Sequence, residues 1–331
     1  MDKNFEEIYD IYSVSSSEKN IKNYLLKEYQ KNGYKICEDR LYSVFMNKEN
    51  KNKKKLMIAF PLDEMGLMIE NIEEDGKIRF IFLEDISPLS FVNQRVNIIT
   101  RDYQNIKGIV CVDEKLAEKN KKDIKVEDLY IKAICSEEKM KNSIKIGDLI
   151  SLESDLYQND DFIVGRSLSQ KIFQYLSIKL AEKLKDKNYP FDLYIGGIAQ
   201  STIGFRGTKT ATYVIKPDVA IALTSFEVNN SNPKIDLEDG VVLGYYDKQM
   251  LPDKKLLNYI KDNFDTKPYL GFRGNDGSFI HKTLQGTPTV SLGIAVKNIS
   301  TANEMLSIND YKKLEEFIIK FLDKFNLFLG E

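Results

Sequence analysis

The sequence predicts an α/β fold: a three-layer mixed sheet with helices on both faces, interrupted by a small β-barrel or sandwich insert. Three observations carry that reading. Leu56, Met57, Ile58, Ala59 and Phe60 form an apolar run without alternation, the pattern of a central strand covered on both faces. From Gly66 to about Ile163 the helical period nearly disappears, and short strands alternate with turn signals such as Asp75-Gly76, Ser87-Pro88 and Gly147-Asp148. From Gly165 the α/β rhythm returns. The expected organisation is therefore a discontinuous α/β domain, residues 1–66 and 164–331, around a β-rich insert at 67–163 that serves oligomerisation. A chain of 331 residues with 42% hydrophobic content holds enough apolar material for both.

In chain order, Phe5, Ile8, Tyr9, Ile11 and Tyr12 make an amphipathic helix, and Ser15 with Glu18 offers a capping box for the next. That second helix carries Ile21, Tyr24, Leu25 and Tyr29 on one face and stops at Gly33. Residues 34–38 and 41–46 read as strands, and the polar run 47–55, with its KNKKK cluster, as a solvated loop. Within the insert, 129–133, 134–136 and 144–152 fit strands, with a helical turn at 137–140. A long helix runs through Ile172, Tyr175, Leu176, Leu180 and Leu184, followed by a strand at 191–199. Gly196-Gly197 and Gly204 to Gly207 read as strand-end turns, because neither spacing matches a phosphate cradle. A strand at 219–223, helices at 251–263 and 277–284, a strand at 289–294 and a closing helix at 308–328 complete the domain.

Composition narrows the function. With 48 basic and 50 acidic residues the net charge is −2, which gives no reason to expect nucleic acid or membrane as a partner. The N-terminus lacks a signal-peptide pattern and no apolar run approaches a membrane span, so a cytoplasmic location is expected. Cys37, Cys111 and Cys135 are odd in number and lie in apolar segments, as small core residues do.

The turn after the run at 56–60 holds Pro61, Leu62, Asp63, Glu64, Met65 and Gly66, at the carboxyl end of a parallel strand where ligand sites form. Asp63, Glu64, Glu227 and Asp276 are the acids from which a mononuclear metal site could be assembled. His281 is the single histidine; it shares a helical face with Ser278, and Asp276 precedes both, so a Ser/His/Asp triad is conceivable. No nucleophile elbow accompanies it, and a structural role is expected. Ser169 and Lys171 are two apart on a helix and point to different sides, which argues against activation.

Several segments together carry a resemblance that runs nearly end to end. IYDIYSVSSSE, PLDEMGLMI, DGKIRFIFLEDISP, NQRVNIIT, GRSLSQK, QSTIGFRGTKTATYVIKPDVAIA and GNDGSFIHKTLQGTPTVSLGI follow one another in the order of the M42 metallo-aminopeptidase motifs. The chain resembles that family, the glutamyl aminopeptidase and tetrahedral aminopeptidase group. The resemblance implies a zinc-aminopeptidase-like fold and oligomers, either dimers or dodecamers. It also implies a pair of divalent metals, zinc or cobalt, about 3.5 to 4 Å apart, which activate a water against a peptide carbonyl.

On the matched motifs, however, the metal-ligand positions hold Pro61, Ser169, Thr202, Thr224 and Ser300, and the glutamate base position holds Ser201. The supporting acid is retained as Asp63, but a group that orients a ligand does not replace one. Proline offers only a carbonyl and hydroxyls are neutral, so two ions would lie together without the anions that offset their repulsion. Framework residues such as Gly204, Arg206, Gly207, Pro217, Asp218, Gly286 and Pro288 still fit the pattern, so the replacement is selective. The expectation is a non-catalytic member with no metal or other cofactor and a neutral polar cleft. It would assemble with itself or with an active paralogue, and bind peptides without cleaving them. The alternative is an active hydrolase that removes N-terminal residues through an atypical metal site or a serine, Ser201 or Ser278.

Overall fold

The computed structural model describes residues 1–50, 54–84, 86–113, 124–230, 233–271 and 273–330. Helices α1 (Lys3–Asp10) and α2 (Lys19–Lys31) precede strands β1 (Lys35–Glu38), β2 (Val44–Lys48) and β3 (Lys55–Pro61). The chain then enters a closed barrel of β4 (Leu67–Ile72), β5 (Ile78–Phe82), β6 (Arg95–Ile99), β7 (Asn105–Val112), β8 (Leu129–Ala133) and β9 (Leu149–Leu152), with α3 (Glu137–Ser143) between the last two. It returns through β10 (Tyr157–Gln158), β11 (Phe162–Gly165), α4 (Leu168–Leu184), β12 (Asp192–Ile198), α5 (Arg206–Ile215), β13 (Val219–Glu227) and β14 (Val241–Tyr246). The last elements are α6 (Lys254–Asn263), β15 (Lys267–Leu270), α7 (Gly277–Ile280), β16 (Thr289–Lys297), β17 (Glu304–Ser307) and α8 (Ile308–Gly330).

Eleven strands form one mixed sheet, ordered β1-β2-β12-β3-β13-β16-β17-β11-β10, with β14 beside β16 and β15 beside β14. Its centre, β12, β3, β13 and β16, is parallel. The apolar run at 56–60 is the middle of this centre. Leu56, Ile58 and Phe60 pack with α1, α2, α4 and α8, while Met57 and Ala59 pack with Ala211 and Ile215 of α5 and Ile280 of α7. Burial on both faces is why the run shows no alternation. The barrel instead alternates, with Leu67, Ile69, Ile78, Phe80, Val96, Ile98, Val110 and Ile131 filling its interior. Tyr157–Gln158 and Phe162–Ile163 fall within 67–163, yet they are hydrogen-bonded into the large sheet rather than the barrel.

Local readings differ from the structure in places. Ser15 and Glu18 do not form a capping box: α2 begins at Lys19 without a side-chain cap, and the Ser15 hydroxyl is turned to Asp63 and Thr202. Gly204 is a turn residue at φ +84°, but Gly207 lies inside α5, where a Cβ would come within 2.2 Å of the Ala199 carbonyl oxygen. The bare glycine lets α5 lie against the end of β12. The sequence of α5, RGTKTATYVI, is rich in residues of low helix propensity, and burial of Ala211, Thr212 and Ile215 against the sheet overrides that preference. Residues 134–136 form no strand, and the cysteines are half-buried free thiols rather than core residues. Of the KNKKK cluster, residues 51–53 lie outside the described residues, Lys54 pairs with Asp218 at 2.9 Å, and Lys55 opens β3.

Candidate functional site

The carboxyl ends of β3, β12, β13 and β16 meet one crevice, the usual ligand position in an open α/β sheet. All six singled-out positions gather there: Pro61 ends β3, Ser201 and Thr202 follow β12, Thr224 lies in β13, Ser300 follows β16, and Ser169 lies in the first turn of α4. Pro61, Ser169 and Thr224 line a cavity of about 320 Å³. Ser167, Gln200 and Ser300 adopt left-handed backbone, at φ 52°, 53° and 63°. For residues other than glycine this costs on the order of 1 to 2 kcal/mol each, and such strain concentrates at functional sites.

Asp63 is fully buried and ties the turn after β3 to the turn after β12. Its Oδ1 accepts the Ser201 N–H at 2.8 Å; its Oδ2 accepts the Thr202 N–H at 3.0 Å, the Thr202 hydroxyl at 2.6 Å and the Ser15 hydroxyl. All of these donors are neutral. Burial pushes its carboxyl upward, against those hydrogen bonds.

Asp276 is also buried, and it takes the hydroxyls of Ser201, at 2.9 and 3.0 Å to its two oxygens, and of Thr208. Burial, with some repulsion from Asp63, pushes its carboxyl up to about 7. The conceivable triad is not assembled. Ser278 donates to Asp247 at 3.0 Å, the His281 Nδ1 faces the Gly277 carbonyl at 3.0 Å, and Asp276 is engaged by Ser201 and Thr208.

Glu64, one residue from Asp63, has the opposite setting. Arg166 pairs with it at 2.6 Å and Lys171 at 3.2 Å, while the Ser13 N–H and the Ser151 hydroxyl complete its shell. Burial opposes ionisation, but the two cations outweigh it and hold the carboxyl low. Arg166 in turn lies 4.9 Å from the ring centre of Tyr9 and 4.1 Å from that of Tyr12. Because Ser151 belongs to β9, Glu64 locks the barrel to the large sheet. This neutralised junction removes Glu64 from the candidate metal ligands. It also explains Lys171, which donates to Glu64, Ile8 O and Ile11 O and does not approach Ser169 as an activating amine.

Sequence reasoning missed two acids. Glu304 accepts the Ser169 N–H at 2.7 Å and the Ser300 N–H at 2.8 Å, and burial pushes it up to about 7. Glu84 has a buried Oε1 without a hydrogen-bond partner, and burial, with Asp63 and Glu304 nearby, pushes it up to about 8. The surroundings thus hold ionisable carboxyls as well as hydroxyls. No local signal marks either residue, since the partners of Glu304 lie 135 residues before it and four before it.

The model of the M42 glutamyl aminopeptidase family matches residues 43–317. This chain belongs to the M42 glutamyl aminopeptidase family. Among M42 relatives, the glutamyl aminopeptidase of Lactococcus lactis subsp. cremoris (strain MG1363) is 25% identical over 341 residues, covering 96% of this chain and 94% of the relative. An aminopeptidase from the archaeon Desulfurococcus kamchatkensis superposes with a TM-score of 0.89 at 21% identity, covering 97% of this chain and 94% of that one. The TET1 peptidase of Pyrococcus horikoshii, described as assembling into a tetrahedron or a large octahedral shell, gives 0.85 at 20% identity, covering 97% and 98%.

A pair of divalent metals does not fit the donors that this M42 chain offers. Among the described residues, no three His, Cys, Asp or Glu side chains are grouped to hold a metal. The Ser201 and Thr202 hydroxyls are engaged by Asp276 and Asp63, and the Ser169 hydroxyl by Gln170 at 2.9 Å. Neutral hydroxyls already used as donors make weak ligands for a borderline-soft ion such as zinc. Among the described residues, no helix is long and apolar enough to cross a membrane.

Proposed function

We propose that this chain is a non-catalytic M42 protein that keeps the fold, assembles through homo-oligomeric contacts of the kind named for its structural relatives, and binds peptides in the crevice without cleaving them. One observation carries the reading: the positions that the family motifs give to metal ligands and base hold Pro61, Ser169, Ser201, Thr202, Thr224 and Ser300, and three of their hydroxyls are engaged internally. A hydrolase without metal needs another nucleophile and another base. Loss of a general base alone costs on the order of 10² to 10⁴ in rate.

A second reading has one specific observation in its favour. Ser201 lies within 3.0 Å of both oxygens of Asp276, whose carboxyl titrates near neutrality. As a nucleophile, however, Ser201 is 1% exposed and Asp276 2%, so a substrate carbonyl could not approach without opening the loop that Asp63 pins. The non-catalytic reading is preferred. In it, the barrel at 67–152 supplies an assembly surface, for a second copy or for an active paralogue.

The test is turnover. Purified full-length protein, supplied with zinc, cobalt or manganese, is offered a panel of aminoacyl chromogenic substrates. No release above buffer is expected with any metal. Release that disappears in Ser201→Ala or Asp276→Asn would establish the serine reading instead, and metal-dependent release would establish an atypical metal site.

A further inference from the structure

The crevice that the proposed function assigns to peptides has its own chemical preference. Three aromatic rings form part of its wall: Phe226, Tyr269 with its ring centre 4.9 Å from that of Phe226, and Tyr246. Two carboxylates also line it. Glu227, at the end of β13, is exposed, and its side chain makes no hydrogen bond or ion pair with a described residue. Asp247 is buried and accepts the Ser278 hydroxyl and the Gln249 N–H. Arg273 is the one basic side chain among the described lining residues.

Acidic side chains also lie behind this lining. Asp63, Glu84, Asp276 and Glu304 are carboxyls with no ion pair to a described lysine or arginine, whereas Glu64 has two. Glu227 and Asp247 in the lining attract cations into a recess with low-dielectric walls and repel anions. Aromatic faces reinforce the same choice, because their quadrupoles present negative charge to a cation. A volume of about 320 Å³ is at the lower end for ligand pockets and suits one side chain with a little backbone.

We propose that the crevice selects a peptide by a basic side chain, lysine or arginine, held against the aromatic wall with Glu227 and Asp247 as counter-charges. This rests on the reading of the crevice as a peptide-binding site. Neutral hydroxyls at Ser169 and Thr224 then serve as donors and acceptors for the peptide backbone.

The test uses the full-length protein and fluorescein-labelled tripeptides Lys-Gly-Gly, Leu-Gly-Gly and Glu-Gly-Gly, each with its label at the carboxyl end. N-acetylated Lys-Gly-Gly is added to separate the side chain from the terminal ammonium. Fluorescence anisotropy is expected to rank lysine about tenfold tighter than leucine, with glutamate weakest, and to retain the lysine preference after acetylation. Glu227→Gln should weaken the lysine peptides several-fold and leave the leucine peptide unchanged; Tyr269→Leu should act in the same direction. Equal or tighter binding of the leucine or glutamate peptide, loss of the preference on acetylation, or no binding of any peptide would overturn the proposal. Mass spectrometry of the same mixtures separates the two claims: cleaved peptide refutes the non-catalytic reading, while the ranking still decides the charge preference.

Discussion

Asp63 and Glu64 are consecutive, both fully buried and both acidic, yet the protein treats them in opposite ways. Glu64 meets two cations and is held ionised; Asp63 meets hydroxyls and backbone N–H groups and is pushed toward protonation. The difference separates two tasks. A buried carboxylate with matched cations is a structural lock, and its removal strands charge. A buried carboxyl with neutral donors is held by hydrogen bonds alone, and burial favours its protonated form. The first holds the barrel to the sheet, and the second ties the turn after β3 to the turn after β12.

The largest effect should come from breaking the lock. Glu64→Ala leaves Arg166 and Lys171 buried without their partner, and a loss of about 3 to 5 kcal/mol is expected in chemical unfolding. A loss below about 1 kcal/mol would show that water or rearrangement serves the cations as well as Glu64 does.

On the other side of the comparison, a charge removed should help. The Asp276 carboxyl has a folded value near 7, above that of the unfolded chain. The folded state therefore binds more protons than the unfolded state between about pH 4 and 7, and this group's contribution, complete at low pH, is lost as pH rises through 7. Asp276→Asn keeps an acceptor and a donor for the rotatable hydroxyls of Ser201 and Thr208. It is expected to gain on the order of 2 kcal/mol at pH 8 and to flatten the decline of thermal midpoint between pH 5 and 8. A variant less stable than the parent at pH 8 would mean that ionised Asp276 stabilises the crevice.

Much of the fold was legible in the sequence because it depends on local pattern. The unalternating run at 56–60 announced a strand buried on both faces, and the alternation with Asp75-Gly76 announced the barrel hairpin at β4 and β5. α5 was not legible, since its threonines and β-branched residues become helical through packing against β12 rather than propensity. In the site, the motif order pointed to the crevice, and Pro61, Ser169 and Thr224 do line it. Roles were harder. Nothing near Glu64 marks Arg166, 102 residues away, as its partner, and nothing near Glu304 marks Ser169. Long-range pairing decided which acids are locks and which are not.

The smallest effect sharpens the hydroxyl side. Thr202→Val removes one neutral donor from Asp63 while two backbone N–H groups and Ser15 remain. A cost of about 1 kcal/mol is expected in thermal unfolding, as for one hydrogen bond to a buried acceptor. A cost as large as that of Glu64→Ala would erase the distinction between the two acids.

The central claim of the proposed function is that the crevice of this M42 chain does not support a metal pair. The most direct measurement is metal content: protein purified without chelator, incubated with excess zinc, cobalt or manganese, then gel-filtered and analysed by inductively coupled plasma mass spectrometry. The account predicts no stoichiometric metal on the parent protein and no change in Asp63→Asn. Two equivalents retained per chain, and lost in Asp63→Asn, would contradict it.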